Sequence, residues 1–363
     1  MASECNRSDI DGDETCSEAS CATNNGSNVS TVPDRHGFLG GSQYTAEPIQ
    51  LVPRAVVLRR ERKWIQMLAD WRKYMDKDYR KIRKRCRKGI PPSLRSRAWL
   101  YLCGGQFLME QSKGLYDDLC KKDGDPRWVD DIKKDLHRQF PYHEMFISEE
   151  GVGQTELSQV LKCFSILNPA VGYCQAQAPL AAFLLMHMPA EQAFWCLVSI
   201  CEKYLMGYYS QGMESLQLDG DILFGLLKKV APRVYKHIKK QKMEPILYMT
   251  EWFLCVFTRS LPWATVLRIW DMFLCEGVKV IFKAALVIMK FSLDSRATLK
   301  NCPTMYETLE VLRNPPPEIL EEYFLIPQVI RLDISEEVFN KEHERQLKKR
   351  KASKTSAKNS NKQ

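Results

Sequence analysis

The sequence has no long apolar run. A membrane-spanning helix needs roughly eighteen or more consecutive apolar residues. The nearest candidates, 246–257 and 278–291, are broken by Glu251 and by Lys279, Lys283 and Lys290. Both read as buried helices of a soluble core. The opening residues, acidic and rich in Ser, Thr and Asn, lack the apolar stretch of a signal peptide. Thirteen cysteines are present without one CxxC pair, and the six histidines are equally scattered. With no export signal, that spacing points to reduced thiols, several of them filling core positions, and to no zinc or other metal site. Also missing are the GxxxxGK[ST] phosphate loop, the kinase loop set, G-x-S-x-G and H-E-x-x-H. These absences exclude a P-loop nucleotide hydrolase, a protein kinase, an α/β-hydrolase and a zinc protease.

What is present is the composition of a soluble globular protein, 45% apolar and 27% charged over 363 residues. The net charge of +9 is unevenly distributed. Residues 1–50 carry −6, residues 54–97 carry +13, residues 341–363 carry +7, and the remainder carries −5. The basicity therefore sits in flanking segments around a mildly acidic body, which argues against a nucleic-acid-binding body. Residues 1–45 have too few large apolar groups to offset chain ordering and read as a disordered acidic leader. Residues 46–88 read as a basic helical lead-in, with Trp64, Met67, Leu68 and Trp71 at helical spacing. Gly89-Ile90-Pro91-Pro92 then marks a loop, and a helix restarts near Ser93 as N-cap with Leu94, Ala98, Trp99 and Leu102 facing inward. Helical patterns dominate from there to about residue 335, and 336–363 reads as a basic flexible tail. The fold class expected is all-α.

Three segments stand out. In the first, Ile132, Asp135 and Arg138 recur three apart, so neighbours share a helix face, and Pro141 ends the helix nearby. Arg138 then falls in the last turn with Asp135 one turn back to hold its guanidinium, presentable to a partner. A surface salt bridge on a solvated helix has the same spacing. The second runs from Asn168 to Pro179. Gly172 frees the backbone, Tyr173 can anchor the loop by burying its ring, and Gln175 lies between two helices. A neutral amide there can both donate and accept, as positioning a water nucleophile requires. An ordinary interhelical loop fits equally well. In the third, Arg268 and Asp271 are spaced as an i,i+3 pair beside Trp270, which reads as core architecture.

In this order the elements resemble the TBC domain of Rab GTPase-activating proteins. Gly89 to Trp99 matches the family's Gly-Ile-Pro-Pro…Arg-x-x-Trp opening. Ile132, Asp135 and Arg138 match its arginine-finger motif I-x-x-D-x-x-R, and Tyr173 and Gln175 match its glutamine-finger motif Y-x-Q. Arg268, Trp270 and Asp271 match R-x-W-D. Ala176-Gln177-Ala178, where the family commonly has Gly-Met-Asn, resembles the carabin-like subfamily. The resemblance implies a two-lobed helical domain over 89–335 with disordered ends. It implies Arg138 and Gln175 as catalytic groups supplied in trans to a GTP-bound Rab, with Ras as a further candidate partner, and Ile132, Asp135 and Tyr173 as their supports. It leaves Gly89, Trp99, Arg268, Trp270 and Asp271 to structure. The protein would then be a GTPase activator rather than an enzyme in its own right, acting in vesicle traffic. No cofactor of its own is implied, because GTP and Mg²⁺ arrive with the GTPase. The location implied is cytoplasmic, peripheral to endomembranes or plasma membrane. A non-catalytic Rab-binding scaffold is the alternative. Residues 80–88 would meet an anionic membrane surface rather than nucleic acid, since no base-stacking aromatic interleaves the charges. The chain's last residues, Asn361-Lys362-Gln363, lack the terminal hydrophobic residue of a PDZ ligand, which argues against that mode of docking.

Overall fold

Proline sets many of the helix starts. In the computed structural model, which describes residues 32–40 and 52–360, helices open on Pro92, Pro126, Pro232 and Pro317. At a first helical position proline gives up no hydrogen bond and its ring presets φ. Helix Pro92–Cys103 thus starts on a proline rather than on the expected Ser93 cap. The Ser93 hydroxyl instead donates to Glu61 of the lead-in at 2.5 Å. The lead-in itself is three helices, Arg54–Ala69, Trp71–Lys77 and Tyr79–Lys88. Trp64, Met67 and Leu68 of the first and Ile82 and Cys86 of the third are buried, as their spacing requires. Among the described residues the protein is helical throughout, and β-type pairing is confined to one isolated bridge between Phe38 and His143. No described helix is long and apolar enough to cross a membrane.

Two groups of helices share one continuous core. In the first, Val152–Leu167, Gln177–Leu185 and Ala190–Ser199 pack on one another, and Ala190–Ser199 packs on Pro92–Cys103. In the second, Lys279–Leu293 is surrounded by Glu214–Val230, Ile246–Leu254, Met305–Arg313 and Glu322–Arg331. Helix Trp263–Glu276 joins them, packing on Tyr79–Lys88 and Pro92–Cys103 on one side and on Lys279–Leu293 and Glu322–Arg331 on the other. An aromatic cluster fills the junction: the Phe183 ring lies 5.5 Å from Trp99, 5.1 Å from Trp263 and 4.4 Å from Trp270. Rings of this size dominate core energetics through the area they bury.

A buried carboxylate locks that junction. Asp271 is fully buried and accepts from the Ile90 backbone N–H at 2.8 Å, Arg95 Nε at 3.1 Å and Trp99 Nε1 at 2.9 Å. Its charge is compensated and its oxygens are hydrogen-bonded, the two conditions under which burial is tolerated. The expected pair between Arg268 and Asp271 does not form. Arg268 instead reaches Glu322 and the Arg87 carbonyl, the latter at 2.7 Å. Spacing permits an i,i+3 pair, but Asp271 faces the core and Arg268 the helix Glu322–Arg331, so tertiary partners win. Trp270 Nε1 donates to the Val256 carbonyl at 3.1 Å, holding a turn in which Val256 and Phe257 both have positive φ.

Parts of both end segments carry described structure. Residues 34–39 lie within the presumed leader, yet Phe38 is only 1% exposed. The tail expected to be flexible forms helix Glu336–Ser360 and lies along Glu214–Val230. Arg350 reaches Asp221 at 2.7 Å, Gln346 donates to the Asp221 carbonyl at 3.2 Å, and Phe339 meets Phe282 edge-on at 4.8 Å. Composition undercounts such segments because one ring or one ion pair in a groove holds many polar neighbours in place. Residues 1–31, 41–45 and 361–363 of those two expectations lie outside the described residues.

Replacing Asp271 by Ala strands the Arg95 guanidinium in the core. The expected cost is about 3–5 kcal/mol of unfolding free energy, read from the shift in denaturation midpoint. A midpoint within experimental error of wild type would show that the junction does not depend on this carboxylate.

Candidate functional site

Helix Pro126–Leu136 begins on an Asp125 cap, whose carboxylate accepts from Arg127 N–H at 2.9 Å. Ile132 anchors it in the core, fully buried, and Asp135 is 7% exposed one turn later. The helix ends at Leu136, so Arg138 stands just beyond the last turn rather than within it. Beyond the helix end and before Pro141, Phe140 takes φ +46° and turns its ring into the core. Such a backbone is unfavourable for a non-glycine residue and persists only where surrounding contacts impose it.

The second loop joins helices Val152–Leu167 and Gln177–Leu185. The Asn168 carbonyl accepts from Val171 and Gly172 N–H at 3.1 and 2.9 Å, closing a turn. Gly172 has φ +63°, and a Cβ there would sit 2.4 Å from the Trp128 ring. The loop therefore rests face-on against helix Pro126–Leu136, an approach only glycine permits. The Cys174 N–H donates to the Gln177 side chain at 3.0 Å, which finishes the turn into the next helix.

One carboxylate ties the two loops together. Arg138 Nη2 donates to Asp135 Oδ1 at 2.5 Å, and the Tyr173 hydroxyl donates to Asp135 Oδ2 at 2.5 Å. Gln139 donates from its side chain to the Asp135 carbonyl at 3.0 Å. Burial, and then the Asp135 bond, push the Tyr173 phenol far above its ordinary range, so it remains a donor at any working pH. The Arg138 side chain is 36% exposed, and its Nε is shielded from water with no partner. Gln175 is exposed and its amide has no hydrogen-bond partner among the described residues. The arrangement thus presents an oriented guanidinium with unspent donors beside a loop that offers a free amide. Chemically it suits an anion with several oxygens, together with a water to be oriented.

The sequence-derived residues fall into two sets. Ile132, Asp135, Arg138, Tyr173 and Gln175 belong to this pair of loops. Gly89, Trp99, Arg268, Trp270 and Asp271 belong to the junction of the two helix groups, where Gly89 ends helix Tyr79–Lys88. Trp128 and Gln139 were missed. Trp128 occupies an unremarkable position at the start of an amphipathic helix, and only the partner loop reveals what it covers. No group of three or more His, Cys, Asp or Glu suited to a metal occurs among the described residues.

Comparison with known proteins gives the family. The Rab-GTPase-TBC domain model matches residues 92–295, and the chain belongs to that family. It is 55% identical to mouse TBC1 domain family member 10A over 316 residues, 87% of this chain and 63% of that protein. It is 49% identical to mouse Carabin over 315 residues, 86% of this chain and 70% of that protein, in keeping with a carabin-like subfamily. The chain thus spans less than two thirds of the first of these relatives. Among solved structures, the flagellar RabGAP TBC domain of Chlamydomonas superposes with a TM-score of 0.63 at 26% identity, covering 84% of this chain and all of that one.

Tyr173→Phe leaves Asp135 Oδ2 buried without its donor. A loss of about 1–3 kcal/mol in stability is expected, measured by thermal or denaturant unfolding. Wild-type stability would mean that Arg138 alone satisfies the carboxylate.

Proposed function

We propose that this protein stimulates GTP hydrolysis by Rab-family GTPases, supplying Arg138 and Gln175 to the GTPase's active site. The observation that carries the reading is the shared carboxylate: Asp135 holds the arginine turn and, through Tyr173, the glutamine loop. Phosphoryl transfer to water needs positioning and charge neutralisation rather than covalent help. As negative charge grows on the departing γ-phosphate, the Arg138 guanidinium bridges its oxygens with the donors that Asp135 does not use. The Gln175 amide accepts from the attacking water and donates to a phosphate oxygen, keeping the water in line. GTP and Mg²⁺ enter with the GTPase, and this chain needs no cofactor of its own. Membership of the TBC family and the preserved order of its motifs support the same reading, which places the protein at the switching-off of Rab-controlled vesicle traffic.

Within the same reading, the lead-in docks on an anionic membrane. On helix Tyr79–Lys88, Arg80, Lys81, Arg83, Lys84 and Lys88 face solvent. Lys81 also pairs with Asp78 at 2.9 Å at the surface, while Arg85 and Arg87 are turned to the Lys63 carbonyl, at 2.5 Å, and to Glu276, at 2.5 Å. Outward cations of this kind contribute about 1 kcal/mol each near an anionic surface.

Arg138→Ala is expected to cut stimulated turnover by about 10³-fold or more across a panel of GTP-loaded Rabs. A Rab whose own catalytic glutamine is replaced should still respond to wild-type protein and fail to respond to Gln175→Ala. Undiminished stimulation by Arg138→Ala would remove the finger assignment. Absence of turnover with every Rab despite binding would favour a scaffold. In sedimentation with liposomes, binding should rise with phosphatidylserine content and weaken in the Lys81→Glu/Lys84→Glu double variant. Equal sedimentation with neutral lipid would dispose of the membrane role.

A further inference from the structure

The turn that carries Arg138 is braced from outside the family-matched segment. We infer that residues 34–39 form a strap that holds this turn in its working geometry, with Phe38 as a positioning residue for Arg138. The inference rests on the finger reading for its catalytic consequence, though not for its structural one.

The strap is a built element. The Asp34 carboxylate accepts from both His36 and Phe38 N–H at 2.8 Å, and the Asp34 N–H donates to the Phe38 carbonyl at 2.8 Å. These bonds close a tight loop whose outer edge faces 142–144. There the Leu39 N–H donates to the Tyr142 carbonyl at 2.8 Å, and the Glu144 N–H donates to the Gly37 carbonyl at 2.8 Å. The His143 ring completes the join. Its Nδ1 accepts from Met145 N–H at 3.2 Å, which leaves Nε2 to donate to the His36 carbonyl at 2.8 Å. Gly37 has φ +89°, and a Cβ there would lie 2.6 Å from His143 Nε2.

The paired segment begins four residues after Arg138. Between them lies Phe140, the residue with the unfavourable backbone, whose ring meets Trp263 at 5.8 Å and Phe38 at 6.4 Å. Phe38 completes the contact, 4.8 Å from Trp263 and 4.9 Å from His143, both edge-on. A left-handed phenylalanine holds only where its surroundings impose it. Phe38, Trp263 and Phe140 form a three-ring cluster, so Phe38 packs beside Trp263 on the ring that the turn buries. The His143 N–H donates to the Phe140 carbonyl at 2.9 Å, so what fixes His143 also fixes Phe140. Loosening the strap thereby lets the turn from Arg138 to Phe140 relax, and a finger misplaced by about 1 Å loses on the order of a hundredfold in rate.

The test compares full-length wild type with Phe38→Ala, Gly37→Ala and Phe38→Leu, and with Phe224→Ala as a control. Phe224 is a ring of the same size that packs on Tyr235 at 4.7 Å in the other helix group. Hydrogen exchange at the amides of His143, Glu144 and Phe146 is read first, without any GTPase. Phe38→Ala and Gly37→Ala should speed it by about tenfold or more, Phe38→Leu should recover most of the protection, and Phe224→Ala should leave it unchanged. Stimulated Rab hydrolysis is read second. The first two variants should lower kcat by about tenfold or more with KM altered less than about threefold, because the finger acts in the transition state. Unchanged exchange overturns the strap. Wild-type kcat in Phe38→Ala, alongside loss of activity in Arg138→Ala, overturns its catalytic role. If Arg138→Ala itself keeps full activity, it is the finger reading that fails, and the exchange data still decide whether the strap holds the turn.

Discussion

The candidate site depends on one buried carboxylate. Asp135 lies inside a helix end where an unpartnered charge would be costly, and both its oxygens are occupied by donors from different loops. The two donors could not otherwise be brought into register, since they are thirty-five residues apart in sequence and belong to loops with no backbone pairing between them. Desolvation makes the constraint strict. Arg138 and Tyr173 must each reach their oxygen, or Asp135 is left charged and unsatisfied. The Trp128 ring against Gly172 adds a steric limit to the electrostatic one. Side chains that could wander if exposed are thus held by the cost of leaving.

Asp271 performs the corresponding task for the frame. It draws Ile90, Arg95 and Trp99 onto helix Trp263–Glu276, the helix that joins the two groups. Trp263 on that same helix is the wall against which Phe140 and Phe38 pack. The frame and the turn that carries Arg138 are therefore mechanically continuous. An aspartate at the junction seats a tryptophan helix, the tryptophan seats a strained phenylalanine, and the phenylalanine ends the turn bearing Arg138.

Much of this was legible in the linear chain. The all-helical fold followed from repeated amphipathic segments bounded by proline and glycine, and the positions of Trp64, Met67 and Leu68 in the core followed from their spacing. The pairing of Asp135 with Arg138 was also readable, because a separation of three residues brings side chains together locally. What failed was the use of the same spacing for Arg268 and Asp271. There, both side chains found better partners on other helices, and sequence distance says nothing about those. The strap at 34–39 and the helix 336–360 were hidden for a related reason. Polar, apolar-poor segments have no internal drive to fold, and they order only because a groove elsewhere accepts one ring or one charged pair.

The amino-acid sequence by itself determined the helical class and the family and singled out the candidate site residues, since each is written in local periodicity or in short motifs. Tertiary structure alone decided that Asp135 serves two loops, that Trp128 roofs Gly172, that Asp271 gathers the opening loop rather than its own helix neighbour, and that Phe38 backs the arginine turn. Each of these is a contact between segments far apart in the chain. Their energy comes from burying a charge or a ring whose partner no local pattern can name.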